Sequence, residues 1–234
     1  QDSGHQTNQT SRPEHPAALS SQPLSVPKAD RHVAKEVKDR QAMNKLFGDG
    51  AAAMLLCMTN ETREGGPQIL GFNSHIIPPA IGAMRFDWDS EEGKWSFFLD
   101  RDIPYVVGHH SERPVNRLLE AAGLKRRDIR HWLVHSGGKK VIDAIKYNIG
   151  LTEHDVRHTV SVLRDFGNIS SASVLFSYKR LLEEGVVREG DYGVLMTMGP
   201  GSTIETALLR PCAQNDGGGF VKRLIAPGYQ MGDL

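Results

Sequence analysis

Two side chains that can donate hydrogen bonds lie beside glycines, where short apolar runs begin or end. His135 follows the apolar run Trp132-Leu133-Val134 and precedes Ser136-Gly137-Gly138. Asn168 follows Gly167 at the start of another apolar segment. Imidazole and carboxamide N–H groups can stabilise negative charge that develops on a carbonyl oxygen. The hypothesis is therefore that both side chains point at the same substrate carbonyl.

Each of the two residues also has a purely structural interpretation. A histidine can be a core residue whose ring is satisfied by internal partners. The glycine pair after His135 favours a pocket instead, because it removes side chains where a ligand could pass and leaves amide groups at a helix start. Asparagine is a common helix N-cap, and Ser170 or Ser171 could fill that role equally well.

The elements that would position these residues follow from the spacing of apolar residues. Strands are predicted over residues 46–57 (buried on both faces), 68–75, 94–99, 132–134, 192–198 and 203–209. Helices are predicted over residues 105–122, 139–148, 152–164 and 170–185. In the first of these, Pro114 must start a new helix or kink the existing one. The third is predicted to open with a capping signal at residues 152–155 and to end at about residue 164. The order strand, helix, helix, helix, strand, strand indicates an α/β layered domain.

Composition places the chain among soluble globular proteins. Its 234 residues carry 28 basic and 28 acidic side chains, so neither nucleic acid nor a membrane surface is expected as a partner. No signal peptide or long apolar span is visible and there are two cysteines, which predicts a cytoplasmic protein. Residues 1–30 are predicted to be disordered, 31–212 to form the folded domain, and 213–234 to be a flexible tail.

A pair of histidines imitates a metal site. His154 and His158 are spaced as two ligands on one helix, with an aspartate between them as in a zinc-protease helix. A zinc site needs at least three protein ligands, and no third is evident in the sequence. No metal is therefore expected.

Four motifs, taken together and in order, match one known pattern. They are Leu46-Phe47-Gly48-Asp49-Gly50-Ala51-Ala52-Ala53, His135-Ser136-Gly137-Gly138, Phe166-Gly167-Asn168-Ile169-Ser170-Ser171-Ala172 and Gly199-Pro200-Gly201-Ser202-Thr203-Ile204-Glu205-Thr206. With them the chain resembles the carboxy-terminal half of a type III polyketide synthase, the chalcone-synthase-like branch of the thiolase superfamily. The resemblance covers residues 30–209 and includes the 33-residue interval from His135 to Asn168. It implies an α/β, thiolase-like layered half-domain, with a mixed sheet and helices on its faces.

The resemblance implies that His135 and Asn168 belong to a Cys-His-Asn triad of an acyltransferase. In such a site imidazole holds a cysteine as the thiolate, which accepts an acyl group from coenzyme A. His135 and Asn168 would then stabilise the enolate that malonyl-CoA forms when it loses carbon dioxide. The substrates implied are malonyl-CoA and acyl-CoA thioesters, no cofactor is needed, and the full-length form is expected to be a homodimer.

The resemblance also assigns a substrate pocket. Phe47 and Phe97 match the family's two gatekeeper phenylalanines, although both could simply be core aromatics. Gly199, Pro200 and Gly201 resemble the loop that shapes the cyclisation pocket. Lys139 and Lys140 could reach coenzyme A phosphates, the alternative being solvated charges on a helix.

The chain departs from the family pattern in three places. Ser136 stands where the family usually has proline, and Met198 where plant enzymes have phenylalanine, which favours a bacterial branch such as the 3,5-dihydroxyphenylacetyl-CoA synthases. The family's nucleophilic cysteine lies upstream of the Gly-Asp-Gly motif, yet residues 1–45 contain no cysteine. Cys57 and Cys212 occupy no matching motif.

The missing cysteine leads us to expect half an enzyme, inactive as the isolated chain. Two other functions stay open on the sequence. One is a condensing enzyme similar to 3-oxoacyl-carrier-protein synthases, which would use the same histidine and asparagine. The other is a non-catalytic subunit that binds acyl-CoA or dimerises with a complete partner.

Overall fold

The computed structural model describes residues 46–54 and 67–211. The segments predicted to be a disordered start and a flexible tail lie outside the described residues, as do Cys57 and Cys212. The domain bounds proposed from the sequence stay predictions.

A mixed four-stranded sheet forms the centre of the fold. The strands are β1 (Gln68–Ile76), β2 (Met84–Asp89), β3 (Lys94–Leu99), β4 (Ile129–Val134), β5 (Tyr192–Gly199) and β6 (Thr203–Arg210). The sheet order is β1-β6-β5-β4, in which β4 and β5 run parallel and the other pairs antiparallel. Strands β2 and β3 form a separate antiparallel ribbon.

Helices cover both faces of this sheet. They are α1 (Ile103–Ala121), α2 (Lys139–Ile149), α3 (Arg157–Phe166) and α4 (Ser173–Glu184). Successive side chains of a strand point to opposite faces, so Trp132 and Val134 join the core beneath α1 and α2, while Leu133 joins the core beneath α4. Strand β4 is thus buried on both faces, which accounts for its continuous apolar run. No helix within the described residues is long and apolar enough to cross a membrane.

The prediction of a buried strand over residues 46–57 is wrong for the part that the structure describes. Residues 47–54 form isolated bridges and no strand. One of these bridges is parallel and joins Phe47 to Asn168, and Met54 is 44% exposed. The segment lies against the turn after α3, where Gly50 packs on the Ile169 side chain. The small residues of this segment therefore allow its backbone to lie close to that turn, and its apolar pattern reflects this packing.

At three places the structure adds to the sequence prediction or differs from it. Strand β2 was not predicted. Of the two outcomes expected at Pro114, a new helix is excluded, because α1 continues through the buried Pro114. Around this proline, the Ser111 hydroxyl donates to the carbonyl of Gly108 over 2.7 Å. The Thr152–Asp155 capping pair forms reciprocal hydrogen bonds, but in a turn that precedes α3. Local signals mark these turns correctly and place helix boundaries less well.

Helices α1 and α2 cross at Gly108. A Cβ atom at this position would lie 2.6 Å from Cβ of Ala144 and 3.1 Å from its carbonyl carbon. The two helices can pack this closely only because residue 108 has no side chain.

Replacing Gly108 by alanine tests this crossing. Alanine raises helix propensity by up to about 1 kcal/mol, whereas overpacking a close contact costs about 1–3 kcal/mol. We expect a net decrease in the free energy of unfolding, measured by urea titration. Adding Ala144→Gly should restore part of the loss. The control is Gly71→Ala, where the new Cβ atom would lie 3.9 Å from Cδ1 of Leu118, an ordinary contact distance. A stabilised Gly108→Ala variant would contradict the close packing.

Candidate active site

His135 directly follows the last residue of β4. Its backbone N–H donates to the carbonyl of Met196 on β5 over 2.8 Å, so the parallel ladder continues to this residue. The side chain is only 8% exposed, and burial lowers the pKa of His135 from 6.5 to about 4. The imidazole is therefore neutral near pH 7 and carries a single ring N–H.

Gly137 makes room for this ring. A Cβ atom at Gly137 would lie 3.0 Å from Cδ2 and 3.3 Å from Nε2 of His135. Gly138 has a φ of 145° and opens helix α2. The imidazole thus lies directly against main chain, where a side chain at residue 137 would displace it.

Asn168 is held by hydrogen bonds on both its backbone and its side chain. Its N–H donates to the carbonyl of Leu46 over 2.8 Å, and its carbonyl accepts from the N–H of Gly48 over 3.0 Å. The side-chain oxygen accepts from the N–H of Ser170 over 2.9 Å, which turns the amide NH2 group to the other side. Nδ2 lies 3.4 Å from the carbonyl oxygen of Gly137, to which it donates.

The residues predicted to act together therefore meet at Gly137. The imidazole of His135 lies against this glycine, and the amide of Asn168 donates to its carbonyl. Both groups are uncharged donors and both are buried, since Asn168 is 5% exposed. The structural role considered for Asn168 is also present, because its oxygen binds the backbone of the next turn and this bond orients its NH2 group.

Two close approaches of backbone fix the turn that carries Asn168. A Cβ atom at Gly48 would lie 1.9 Å from the carbonyl oxygen of Phe166, and one at Gly167 would lie 2.9 Å from the carbonyl oxygen of Leu46. Gly167 also has a φ of 74°. Only glycine fits at both positions, which explains the glycines in two of the four motifs.

Phe47 and Phe97 are brought together near this turn. Their ring centroids are 6.1 Å apart in an edge-to-face arrangement, and Phe97 also contacts Phe86 at 4.9 Å. The backbone of Phe47 pairs with Asn168. The aromatic pair therefore lies next to one of the donors. Phe97 also packs on the large core cluster, as the core-aromatic alternative expects, and the gatekeeper role of both residues stays a prediction.

The Gly199-Pro200-Gly201 turn joins β5 to β6 and is anchored to the ribbon. The N–H of Gly201 donates to the carbonyl of Met84 over 2.7 Å, and Met84 pairs with Leu99 on the strand that carries Phe97. No hydrogen bond within the described residues links this turn to His135 or Asn168. It is connected to the donors through the ribbon and through β5.

The two lysines lie at the exposed first turn of α2. Lys139 forms an ion pair with Asp143 over 2.7 Å. In the part of the chain that the structure describes, no hydrogen bond joins the side chain of either lysine to His135 or Asn168. Their proposed role with coenzyme A stays a prediction.

The two histidines of the zinc-like pattern do not share a helix. His154 lies in the turn before α3, and His158 lies within α3. Nε2 of His158 is 2.9 Å from Glu184 Oε2, without hydrogen-bond alignment. Among residues 46–54 and 67–211, no group of three or more potential ligands is arranged to hold a metal ion.

Two further residues lie at the site, and no role there was predicted for either of them from the sequence. The Ser136 side chain is fully buried, and its hydroxyl has no hydrogen-bond partner among the described residues. Thr159 on α3 is also fully buried, and its hydroxyl binds the backbone of Val134, the residue before His135. Its spacing from the buried Val156 and Val162 could have indicated that Thr159 faces inward.

Comparison with known families identifies the class of protein that this site belongs to. Residues 73–213 match the model described as chalcone and stilbene synthases, C-terminal domain. The match covers more than half of the chain, and the chain therefore belongs to the chalcone and stilbene synthase family. The predicted α/β, thiolase-like fold and the predicted family are confirmed.

Individual relatives narrow the comparison. The chain is 65% identical over 173 residues to a 3,5-dihydroxyphenylacetyl-CoA synthase of Streptomyces toyocaensis, covering 72% of this chain and 44% of the relative. It is 62% identical over 168 residues to the synthase of the same name from Amycolatopsis orientalis, covering 72% of this chain and 45% of that relative. The chain spans less than half the length of each.

Solved structures agree with this assignment. The C-terminal type III polyketide synthase domain of Steely1 from Dictyostelium has a TM-score of 0.59 at 25% identity, over 67% of this chain and 44% of that one. The 1,3,6,8-tetrahydroxynaphthalene synthase of Streptomyces coelicolor, a bacterial type III polyketide synthase, has a TM-score of 0.58 at 29% identity. That match covers 64% of this chain and 42% of the synthase.

The low pKa of His135 predicts how stability depends on pH. The unfolded chain binds a proton on this histidine below pH 6.5, whereas the folded chain does so only near pH 4, so stability falls as the pH drops through this window. At about 1.4 kcal/mol per pKa unit, the loss due to His135 alone is about 3 kcal/mol. Urea titrations at pH 7 and pH 4.5 should show that His135→Gln loses less stability on acidification than the wild type.

Two other histidine variants complete this measurement. His158 contributes in the same direction, because burial and the neighbouring Arg157 lower its pKa to about 4, so His135→Gln should keep part of the acid sensitivity. The exposed His154→Gln controls for loss of a surface histidine. Equal acid sensitivity of wild type and His135→Gln would show that the ring of His135 is not buried in its neutral form.

Proposed function

We propose that this chain supplies the two enolate-stabilising donors of a type III polyketide synthase that condenses malonyl-CoA units into 3,5-dihydroxyphenylacetyl-CoA. The observation that carries the proposal is the meeting of the neutral His135 imidazole and the Asn168 amide at Gly137. The product is the one in the names of relatives that are 62–65% identical to this chain.

The geometry of the donors suits decarboxylation. When the malonyl thioester loses carbon dioxide, the electron pair of the broken C–C bond moves into an enolate, and negative charge gathers on the thioester oxygen. Two uncharged, buried N–H groups can stabilise that charge without transferring a proton, and one such donor is worth about 3–4 kcal/mol. Burial favours the neutral imidazole over the imidazolium ion, and the neutral ring still carries one N–H that can act as this donor.

The second half of the reaction needs a thiol. The enolate carbon would attack an acyl thioester on cysteine, forming the new C–C bond and releasing the thiolate. Because residues 1–45 contain no cysteine, we place this nucleophile in the amino-terminal part of the relatives, which this chain does not span. The proposed chemistry uses coenzyme A thioesters as substrates and requires no further cofactor.

The pocket residues receive roles on the same basis. Phe47 and Phe97 would form the gate between the coenzyme A entrance and the donors, and the turn Gly199-Pro200-Gly201 would form the far wall. Of the two lysines, Lys140 is the better candidate for a coenzyme A phosphate, because the Lys139 ammonium is already paired with Asp143.

Assembly and location belong to the proposal as well. We propose a cytoplasmic enzyme, where malonyl-CoA is available, and a homodimer in the full-length form. Light scattering of a full-length version should give twice the monomer mass. A monomer at micromolar concentration would contradict the proposed assembly.

Radiolabelled malonyl-CoA provides the direct test of activity. The purified chain alone should give no polyketide. A full-length version that adds the amino-terminal part of the Streptomyces toyocaensis relative should release labelled carbon dioxide and form 3,5-dihydroxyphenylacetyl-CoA, identified by mass spectrometry. In that version His135→Gln and Asn168→Ala should each lower the rate of decarboxylation about 100- to 1000-fold.

The controls separate loss of chemistry from loss of fold. His154→Gln, in the turn before α3, should retain the wild-type rate, and circular dichroism should show that the donor variants remain folded. Product formation by the chain alone would overturn the division of the site between two segments. A full-length version that binds malonyl-CoA without consuming it would favour the non-catalytic acyl-CoA-binding function.

A further inference from the structure

The Thr159 hydroxyl binds both backbone groups of Val134. Its Oγ1 accepts from the Val134 N–H over 3.2 Å and donates to the Val134 carbonyl over 2.9 Å. Thr159 lies on α3 and is 0% exposed. One hydroxyl thus satisfies a donor and an acceptor that would otherwise be buried without partners.

These backbone groups need such a partner because β4 is the last strand of the sheet. On its inner side β4 pairs with β5, and the N–H of His135 donates to Met196. Backbone groups alternate in direction along a strand, so those of Val134 point away from β5. Within the described residues no further strand lies on that side, and the hydroxyl of a helix takes its place.

The same helix leads directly to the other donor. α3 ends at Phe166, and Gly167 and Asn168 follow at once. The Thr159 hydroxyl therefore joins the strand end that carries His135 to the helix that delivers Asn168. It is a direct hydrogen-bonded link between these two elements, one residue from the imidazole.

We propose that Thr159 is a positioning residue that sets the spacing between His135 and Asn168. The effect of this spacing on catalysis rests on the function proposed above. In that function both donors bind one substrate oxygen, which they can do only at a fixed separation. The spacing itself is a property of this chain and can be measured without any turnover.

A second buried threonine distinguishes positioning from ordinary stabilisation. Thr206 on β6 is 2% exposed, and its hydroxyl donates to the carbonyl of Asn73 on β1 over 3.0 Å. It has the same chemistry as Thr159 but links two strands on the far side of the sheet from β4. Thr206→Val should therefore lower stability without reaching the donors.

The experiment compares Thr159→Val, Thr159→Ser and Thr206→Val in the present chain by nuclear magnetic resonance. Valine keeps the shape of threonine and removes the hydroxyl, whereas serine keeps the hydroxyl. In Thr159→Val we expect the His135 ring to admit water, so that its pKa rises by about 1 unit toward the ordinary value. The Val134 amide should exchange with solvent at least ~10-fold faster, and the side-chain NH2 signals of Asn168 should shift.

In the two control variants we expect no change at the donors. Thr159→Ser should restore the wild-type pKa of His135 and the wild-type Asn168 signals. Thr206→Val should leave both unchanged although it lowers the urea midpoint. If Thr159→Val retains the wild-type pKa of His135 and the wild-type Asn168 signals, or if Thr206→Val changes them equally, Thr159 has only a general structural role and the proposal fails.

A kinetic measurement on the full-length version separates this inference from the proposed function. There Thr159→Val should lower kcat for malonyl-CoA decarboxylation about 10-fold, through a loss of orientation, with KM nearly unchanged. If the wild-type version shows no turnover while the resonance shifts occur as expected, the proposed function fails and the positioning role stands.

Discussion

Two segments of main chain cross at van der Waals distance beside Asn168, and the arrangement of the donors depends on this crossing. Gly48 lies on the carbonyl of Phe166, and Gly167 lies on the carbonyl of Leu46, so that a side chain at either glycine would collide with backbone. The hydrogen bonds on both sides of Asn168 form only at this separation. A buried amide whose backbone is fixed in this way can aim its NH2 group without relying on its own rotamer preferences.

Burial governs the electrostatics of the site more than charge does. The low pKa of His135 follows from removal of its ring from water, and Asn168 has no charge to lose. The two donors are therefore dipoles held in a low-dielectric environment, where an interaction with a developing anion is stronger than in water. The charged lysines lie outside this environment, on the exposed first turn of α2. A substrate would accordingly meet charge at the surface and neutral donors at the reacting carbonyl.

The sequence predicts those parts of the fold that depend on local patterns. The apolar run before His135 predicts β4, Gly185 ends α4 in a left-handed conformation, and β5 and β6 form the predicted hairpin. The segment around Phe47 was misjudged, because an apolar run looks the same whether it pairs in a sheet or packs against Ile169. Thr159 was missed since its role depends on which strand is last in the sheet, a tertiary fact. The roles of the site residues stay predictions, although the structure brings the two donors to one glycine.

The Ser136 hydroxyl, which has no partner within the described residues, has a consequence for substitutions at this position. A buried polar atom without a partner costs about 1–3 kcal/mol, and no group within the described residues bonds to this hydroxyl. No hydrogen bond within the described residues uses the N–H of Ser136 either. Proline at this position would therefore leave every hydrogen bond of the described residues in place. Whether the exchange is tolerated depends on whether the pyrrolidine ring fits the volume that the buried serine side chain now fills.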